Sequence, residues 1–165
     1  MTEITQELLR ERFIYRDGSL YWRAPGKKRN LEKPVGTLSK DGYLHVNLTV
    51  NKKARSQLLH RLIYLYHHET LPKIIDHVDN NPLNNVIHNL RPATQSENCQ
   101  NRKVSLKNKS GKKGVSWCAN TRRWVVQIYK NKRHIFKRRF KDFELACFVA
   151  DVMRSSLHNS FARHK

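Results

Sequence analysis

The residues best suited to chemistry lie in one polar segment that combines a carboxylate, an imidazole and several carboxamides. Asp76 and His77 are adjacent, and Asn98 follows further along the same segment. Carboxylate and carboxamide oxygens suit a hard cation such as Mg²⁺, and an imidazole can take a proton from water. The formal net charge of +20 favours a polyanionic substrate. The segment therefore predicts a metal-dependent nuclease.

Each of these residues has a predicted role. Asp76 would bind Mg²⁺ or Mn²⁺ directly, and Asn98 would add its carbonyl oxygen from a short helix near residues 94–101. His77 would act as general base, because an imidazole titrates near neutral pH. Adjacent strand residues point to opposite faces, so a turn or bulge must re-aim Asp76 or His77 if both serve one site.

The N-terminal part reads as strands followed by a helix. Asp17-Gly18 lies between two aromatic runs and predicts a β-hairpin. Residues 43–50 alternate apolar and polar side chains, which predicts a half-buried strand, and a second strand is expected near 54–58. From Leu59 to about His68 the apolar spacing becomes helical, with an apolar face on one side. These elements must position the polar segment.

Composition limits the architecture and the compartment. Only 38% of the 165 residues are hydrophobic, which favours small modules over one large core. The basic stretch 103–113 is poor in core residues and predicts a linker between domains at 1–102 and 114–165. Three widely spaced cysteines support neither a zinc knuckle nor a disulfide framework, and buried free thiols are expected. Without a signal peptide or a spanning apolar stretch, a soluble cytoplasmic protein is predicted.

The C-terminal part predicts a three-stranded sheet and a helix. Strands are expected at 114–117, 124–129 and 134–140, and Asp142 is a good N-cap for a helix over 143–158. The helix carries an apolar stripe expected to cover one face of the sheet: Leu145, Phe148, Val149, Val152 and Met153. The other face is expected to carry basic and aromatic side chains. Strand alternation leaves open whether Trp117 and Trp124 are core residues or face DNA.

The central segment resembles the HNH homing endonucleases of phages and group I introns. Their pattern D-H-x-D-x-x-x-x-N-N-x-x-x-N-L, continuing to E-N-x-x-N, is matched at every fixed position. The matching residues are Asp76, His77, Asp79, Asn84, Asn85, Asn89, Leu90, Glu97, Asn98 and Asn101. A preceding His60-Arg61-Leu62 and Gly42-Tyr43-Leu44 also match, so the resemblance spans roughly residues 36–101.

This resemblance implies an α+β chain with a ββα-metal domain. It places His77 as general base and Asp76 and Asn98 as metal ligands. Asn89 would be the middle asparagine, whose side chain holds the loop between strand and helix and orients His77. The third letter of the HNH signature is an asparagine here, and His88 stands where the family often has an acidic residue. His60 is expected to help its helix pack.

Residues 110–162 resemble the Apetala2-type DNA-binding domain of plant ethylene-response factors. The resemblance rests on Gly114-Val115-Ser116-Trp117, on residues 123–128 and on the end Leu157–Ala162. It implies a sheet that lies in the major groove. Physical argument makes five basic residues candidates for phosphate or guanine contacts: Arg122, Arg123, Arg133, Lys137 and Arg139. Lys137-Arg138 replaces a usual Leu-Gly, which leaves the register of the third strand open.

These features predict a two-module enzyme that acts on double-stranded DNA. It would hydrolyse a phosphodiester to leave 5′-phosphate and 3′-hydroxyl ends. One HNH site per chain predicts nicking of one strand, and a monomer is favoured because no coiled coil or apolar dimer seam is evident. The alternatives are a sequence-specific regulator with a vestigial nuclease fold and a nucleic-acid packaging protein.

Overall fold

A computed structural model describes residues 4–27, 29–101, 104, 108–158 and 161–162. The chain divides into two compact units, Met1–Pro92 and Ala93–Lys165, and each is described by itself. The expected linker at 103–113 lies partly outside the described residues, so the division into domains at that place stays a prediction. No helix within the described ranges is long and apolar enough to cross a membrane.

The first unit begins with a short helix and the predicted hairpin. Helix α1 (Gln6–Arg12) is capped by Thr5, whose hydroxyl oxygen accepts a hydrogen bond from the Leu8 N–H. Strands β1 (Phe13–Arg16) and β2 (Ser19–Trp22) pair antiparallel. The two turn residues have positive φ, 42° at Asp17 and 80° at Gly18, as a tight two-residue hairpin turn requires. The hairpin prediction is confirmed.

A small antiparallel sheet and a helix form the body of this unit. Strands β3 (Thr37–Leu38), β4 (Leu44–Val50) and β5 (Lys53–Leu58) pair in the order β3-β4-β5. Helix α2 (Leu59–His67) follows β5 directly. Alternate residues of β4 are buried, Val46 and Leu48, as the sequence pattern predicts.

One apolar core joins these elements. Its fully or nearly buried side chains come from α1, both hairpin strands, β4, α2 and the strands that follow: Leu9, Phe13, Leu20, Val46, Leu48, Leu59, Leu62, Ile63, Tyr64, Leu65, Ile75 and Leu90. The last two flank the polar segment at residues 76–89. The core therefore fixes both ends of the candidate site.

A two-stranded ribbon carries the polar segment. Strand β6 (Ile75–His77) pairs antiparallel with β7 (Leu90–Pro92), and a 3₁₀ turn (Ile87–Asn89) leads into β7. The register is regular, with Asp76 opposite Arg91 and His77 opposite Leu90. No bulge interrupts the pairing at these two residues, so only a turn can re-aim one of them. The chain turns after His77, where Asn80 has a φ of 60°.

The second unit contains a short helix, a sheet and a long helix. Helix α3 (Gln95–Asn101) comes first. Strands β8 (Val115–Cys118), β9 (Arg123–Lys130) and β10 (Arg133–Phe140) form an antiparallel sheet in the order β10-β9-β8. Helix α4 (Phe143–His158) follows, and the Asp142 carboxylate accepts a hydrogen bond from the Leu145 N–H at 2.6 Å. The predicted strands and helix are confirmed, and the chain is α+β.

The packing of α4 differs from the expected one. The helix buries Ala146 and Ala150 against Val115 and Val126 of the sheet. The stripe residues Leu145, Phe148 and Val152 are instead exposed, Phe148 by 65%. Small side chains allow the helix backbone to approach the sheet closely, which larger residues would prevent. The apolar pattern alone did not distinguish these two faces.

The cysteine prediction is corrected in part. The three cysteines are free, as expected, but Cys99 is exposed and Cys118 and Cys147 are half-buried. None of the three thiols is therefore fully buried.

We expect Gly18→Ala to destabilise the protein more than Gly42→Ala. Both glycines have φ near 80°, at which an alanine costs about 1–2 kcal/mol. A Cβ at Gly18 would also lie 2.8 Å from the Val86 nitrogen and 3.0 Å from the Asn85 carbonyl carbon, whereas a Cβ at Gly42 meets no described atom within 4 Å. Overpacking should add about 1–3 kcal/mol to the loss at Gly18. Urea unfolding of both variants measures the difference in their free energies of unfolding. Equal losses of stability would contradict a close contact of Gly18 with residues 85 and 86.

Candidate active site

The carboxylate of Asp76 is buried and paired with an arginine. Asp76 is 5% exposed, and its Oδ2 accepts a hydrogen bond from Arg91 Nε at 2.9 Å. Arg91 Nη2 lies 2.9 Å from the same oxygen and completes the ion pair. The pair forms because the two residues lie directly opposite each other on β6 and β7, which places their side chains on the same face of the ribbon. The guanidinium compensates a negative charge that burial would otherwise disfavour.

The imidazole of His77 is held by an asparagine side chain. His77 Nε2 lies 3.0 Å from Asn85 Oδ1, and the two residues are 6% and 2% exposed. The amide of Asn85 is oriented by its Nδ2, which donates to the Leu83 carbonyl at 3.4 Å. Oδ1 therefore faces the ring and accepts, so Nε2 carries the proton of the neutral imidazole. In that tautomer the basic lone pair is on Nδ1.

A network around Asp79 fixes the loop that presents Asn85. Asp79 Oδ2 accepts from Asn84 Nδ2 at 2.7 Å, and Oδ1 accepts from Asn89 Nδ2 at 2.9 Å and from the Asn81 N–H at 2.8 Å. Burial raises the pKa of the Asp79 carboxyl, but these three hydrogen bonds outweigh it and hold that pKa below its ordinary value. The loop is therefore built around an ionised carboxylate.

Asn89 binds the loop at both ends. Its Oδ1 accepts from the Asp79 N–H at 3.1 Å, and its Nδ2 also donates to the Asn84 carbonyl at 2.7 Å. These contacts are of the kind expected for a residue that holds the loop. The His77 ring is hydrogen-bonded to Asn85 Oδ1, whereas these contacts of Asn89 are with the loop, so any orienting effect of Asn89 on His77 would act through the loop. The assigned role of Asn89 stays a prediction.

Asn98 lies on α3, in the second unit. Its backbone N–H donates to the Thr94 carbonyl at 3.0 Å, and Glu97 accepts from both the N–H and the hydroxyl of Thr94. This reciprocal cap fixes the start of the helix that presents Asn98. Asp76 belongs to the first unit, so joint binding of one metal by Asp76 and Asn98 stays a prediction.

The available donors suit a hard divalent cation. Arg91 holds Oδ2 of Asp76, whose carboxylate is one predicted metal donor, and the amide oxygen of Asn98 stays a predicted second donor. Oxygen donors with few carboxylates are typical of Mg²⁺, which keeps several waters and binds substrate phosphate oxygens. Across the described ranges, no three His, Cys, Asp or Glu side chains cluster as a metal site. A site with bound phosphate and water needs no such cluster.

The basic residues predicted to bind DNA fall into separate groups on the second unit. Cross-strand register places Arg123, Lys137 and Arg139 on the face of the sheet opposite α4. Arg122 lies in the turn before β9, with a φ of 46°. Arg133 is opposite Lys130, whose ammonium reaches the Leu157 carbonyl of α4, so the register assigns Arg133 to the helix side.

A register shift between His134 and Phe136 explains this division. A bulge there reverses which face the following β10 residues share. It lies just before Lys137-Arg138, where the register was in question. Trp124 packs on the core of this unit, 4.4 Å from the ring centroid of Phe143, whereas Trp117 opposite it is 51% exposed.

Sequence reasoning gave no role to Arg91 or Asn85. Arg91 stands outside the matched pattern, and its signal is the antiparallel pairing that brings it opposite Asp76. Asn85 was matched as one of several loop asparagines, and only the folded loop distinguishes it from its neighbours. Both residues contact the predicted metal ligand or the predicted base directly.

Three comparisons with known proteins found similarities to this chain. A family model described as HNH endonuclease matches residues 57–100. Protein 3.8 of Escherichia phage T7 is 39% identical over 94 residues, which is 55% of this chain and 74% of that protein. A solved structure titled "DNA binding and cleavage by the HNH homing endonuclease I-HmuI" has 19% identity and a TM-score of 0.48, covering 100% of this chain and 98% of its own.

We expect Arg91→Met to be destabilised in chelator and partly restored by Mg²⁺. The substitution leaves the buried Asp76 carboxylate without the guanidinium, a change that costs about 3–5 kcal/mol in comparable pairs. A cation bound at Asp76 would compensate the same charge. Thermal and urea unfolding with and without Mg²⁺ measure both effects.

The control is Arg91→Met combined with Asp76→Asn, which removes the carboxylate as well. This double variant should lose the Mg²⁺ response. A Mg²⁺ response that persists in it would place the cation elsewhere.

Proposed function

The chain belongs to the family of phage T7 Protein 3.8 and contains an HNH endonuclease domain, and from this premise we propose that it is a metal-dependent DNA endonuclease. It hydrolyses one phosphodiester bond of double-stranded DNA, leaving 5′-phosphate and 3′-hydroxyl ends. It acts as a homing-type enzyme at a specific site, in the cytoplasm of a phage-infected cell. The buried hydrogen bond between His77 and Asn85 is the observation that supports this function most directly.

His77 is the general base of this mechanism. Because Asn85 accepts the Nε2 proton, the neutral ring can take the proton of the attacking water at Nδ1. The buried hydrogen bond also prevents the ring from turning when its charge changes. Asn85 Oδ1 then stabilises the imidazolium that forms, since an acceptor gains strength against a charged donor.

Asp76 and Asn98 are the proposed ligands of Mg²⁺ or Mn²⁺. When bound, the cation supplies positive charge to the phosphoryl oxygens and to the departing 3′ oxygen. Arg91 pairs with the Asp76 carboxylate and fixes it by one oxygen. Asp76 and His77 both lie at the end of a narrow two-stranded ribbon, and a phosphodiester lying across that end is the proposed substrate position.

The second unit is proposed to select the DNA site. Arg123, Lys137 and Arg139 share a face of its sheet, and such a row can contact phosphates and guanine edges in a major groove. Resemblance to the Apetala2-type domain supports the same face. A chain with one HNH domain nicks one strand as a monomer, and two chains would be needed to cut both.

A cleavage assay on supercoiled plasmid distinguishes the proposed enzyme from the alternative, a regulator with a vestigial nuclease fold. Plasmid containing candidate sites is incubated with the protein in Mg²⁺, in EDTA, and with His77→Ala in Mg²⁺. We expect open circles from the wild type with metal alone, and equal DNA affinity of wild type and His77→Ala in gel shifts. Cutting by His77→Ala at the wild-type rate would contradict the assigned base. Site-specific binding without cutting by the wild type would favour the regulator.

Adjacent arginines on opposite faces of β10 test the proposed DNA surface. Arg139 lies opposite Val125 on the face away from α4, whereas Arg138 lies opposite Val126 on the helix side. Arg139→Ala should weaken DNA binding about tenfold or more and lower the salt slope by about one. Arg138→Ala has the same charge change and should have a smaller effect on both. Fluorescence anisotropy over a salt series measures them, and equal effects would contradict the assigned face.

A further inference from the structure

A second histidine contacts the proposed base. His60 lies in the first turn of α2, and its ring centroid is 5.0 Å from that of His77, with the ring planes 70° apart. Tyr43 closes the cluster, with its ring centroid 5.5 Å from His60 and 6.2 Å from His77. Both histidines are 6% exposed. His77 is therefore held by Asn85 at Nε2 and contacts the buried ring of His60 and the half-buried ring of Tyr43.

His60 is electrically neutral in this environment. Burial, and to a smaller extent electrostatic repulsion from His77, Arg61 and His45, together lower the pKa of His60 to about 4. A charged ring at this distance would repel the imidazolium that forms when His77 takes a proton. Because His60 stays neutral at working pH, it can contact His77 without opposing that charge.

We propose that His60 is a positioning residue for His77. The ring of His60 packs against the imidazole of His77 and fixes it in the orientation in which Nε2 bonds to Asn85 and Nδ1 faces the attacking water. The inference rests on the proposed role of His77 as base. His60 touches neither metal nor substrate in this assignment and acts through the ring of His77.

A purely structural role explains this position less well. The neighbouring buried positions of α2, Leu59 and Ile63, are filled by aliphatic side chains that are 1% and 0% exposed. A buried imidazole loses hydration that an aliphatic side chain never had, so it is a poor choice for packing alone. A flat ring, in contrast, restricts the rotation of a second ring that lies against it.

The test compares three substitutions of His60 with a matched control. His60→Phe keeps a flat ring, His60→Leu keeps apolar volume without one, and His60→Ala removes both. The control His67→Ala removes a histidine from the other end of the same helix, where its ring lies 4.5 Å from that of Tyr15 and not against His77. The tautomer of His77 is measured by ¹⁵N-imidazole NMR, and its signals are assigned by comparison with His77→Ala. The single-turnover cleavage rate is measured as a function of pH, and the DNA affinity of each variant is measured in parallel.

We expect wild type, His60→Phe and His67→Ala to hold His77 in the Nε2–H tautomer. His60→Ala and His60→Leu should show mixed tautomers and a cleavage rate lower by about 10- to 100-fold, as small misplacements of a catalytic group produce. Their pH–rate profiles should shift, and DNA affinity should change by less than about twofold in all variants. Rescue by phenylalanine and not by leucine identifies the ring as the active feature.

Several results would overturn the proposal. One such result is that His60→Ala and His60→Leu melt at a lower temperature but keep the wild-type tautomer, cleavage rate and pH profile. These variants would then behave as expected for His67→Ala, and His60 would only pack the helix. If His60→Ala does not fold, the comparison of Phe with Leu decides alone, and equal behaviour of these two rejects the role of the ring. If wild type cuts no DNA, the proposed function fails, whereas the tautomer measurement still tests the contact between the rings.

Discussion

The buried hydrogen bond from His77 Nε2 to Asn85 Oδ1 is the contact on which the candidate site depends. It determines which ring nitrogen is basic, and its acceptor comes from a loop rather than from a regular element. The loop keeps its shape because Asp79 collects hydrogen bonds from Asn84, Asn89 and the Asn81 backbone. Each such bond is worth only about 0.5–1.5 kcal/mol, so the geometry rests on the set of bonds acting together.

The N-terminal hairpin supports this loop from outside. Gly18 brings its backbone against residues 85 and 86, and the Tyr15 hydroxyl accepts a hydrogen bond from the Ile87 N–H at 3.1 Å. The hairpin itself is anchored in the core through Phe13 and Leu20. A substitution in this hairpin, far from the site in sequence, can therefore displace Asn85 and, through it, the ring of His77. The core of this unit also keeps the two ends of the polar loop in place, through Ile75 and Leu90.

Local patterns predicted the elements, and long-range pairing decided what the sequence could not show. Strand alternation and helical spacing placed β4, α2 and α4 within a residue or two, because these signals depend on near neighbours. The packed face of α4 depends on the sheet it meets, and the two alanines there carry little hydrophobic signal. The bulge after His134 and the pairing of Arg91 with Asp76 depend on a partner strand. The matched motif predicted the candidate site residues, but only the fold distinguished Asn85 from its neighbours.

Charge is expected to couple the binding of the proposed metal ion to the binding of DNA. A chain with a net charge of +20 repels a divalent cation at long range, and Arg91 already balances the one buried carboxylate of the ribbon. DNA reverses both conditions, because it neutralises the basic surface and brings phosphate oxygens that can join the metal's coordination. In the proposed mechanism the cation is therefore bound more tightly by the complex than by the free protein. Reciprocal linkage requires that Mg²⁺ strengthen DNA binding by the same factor.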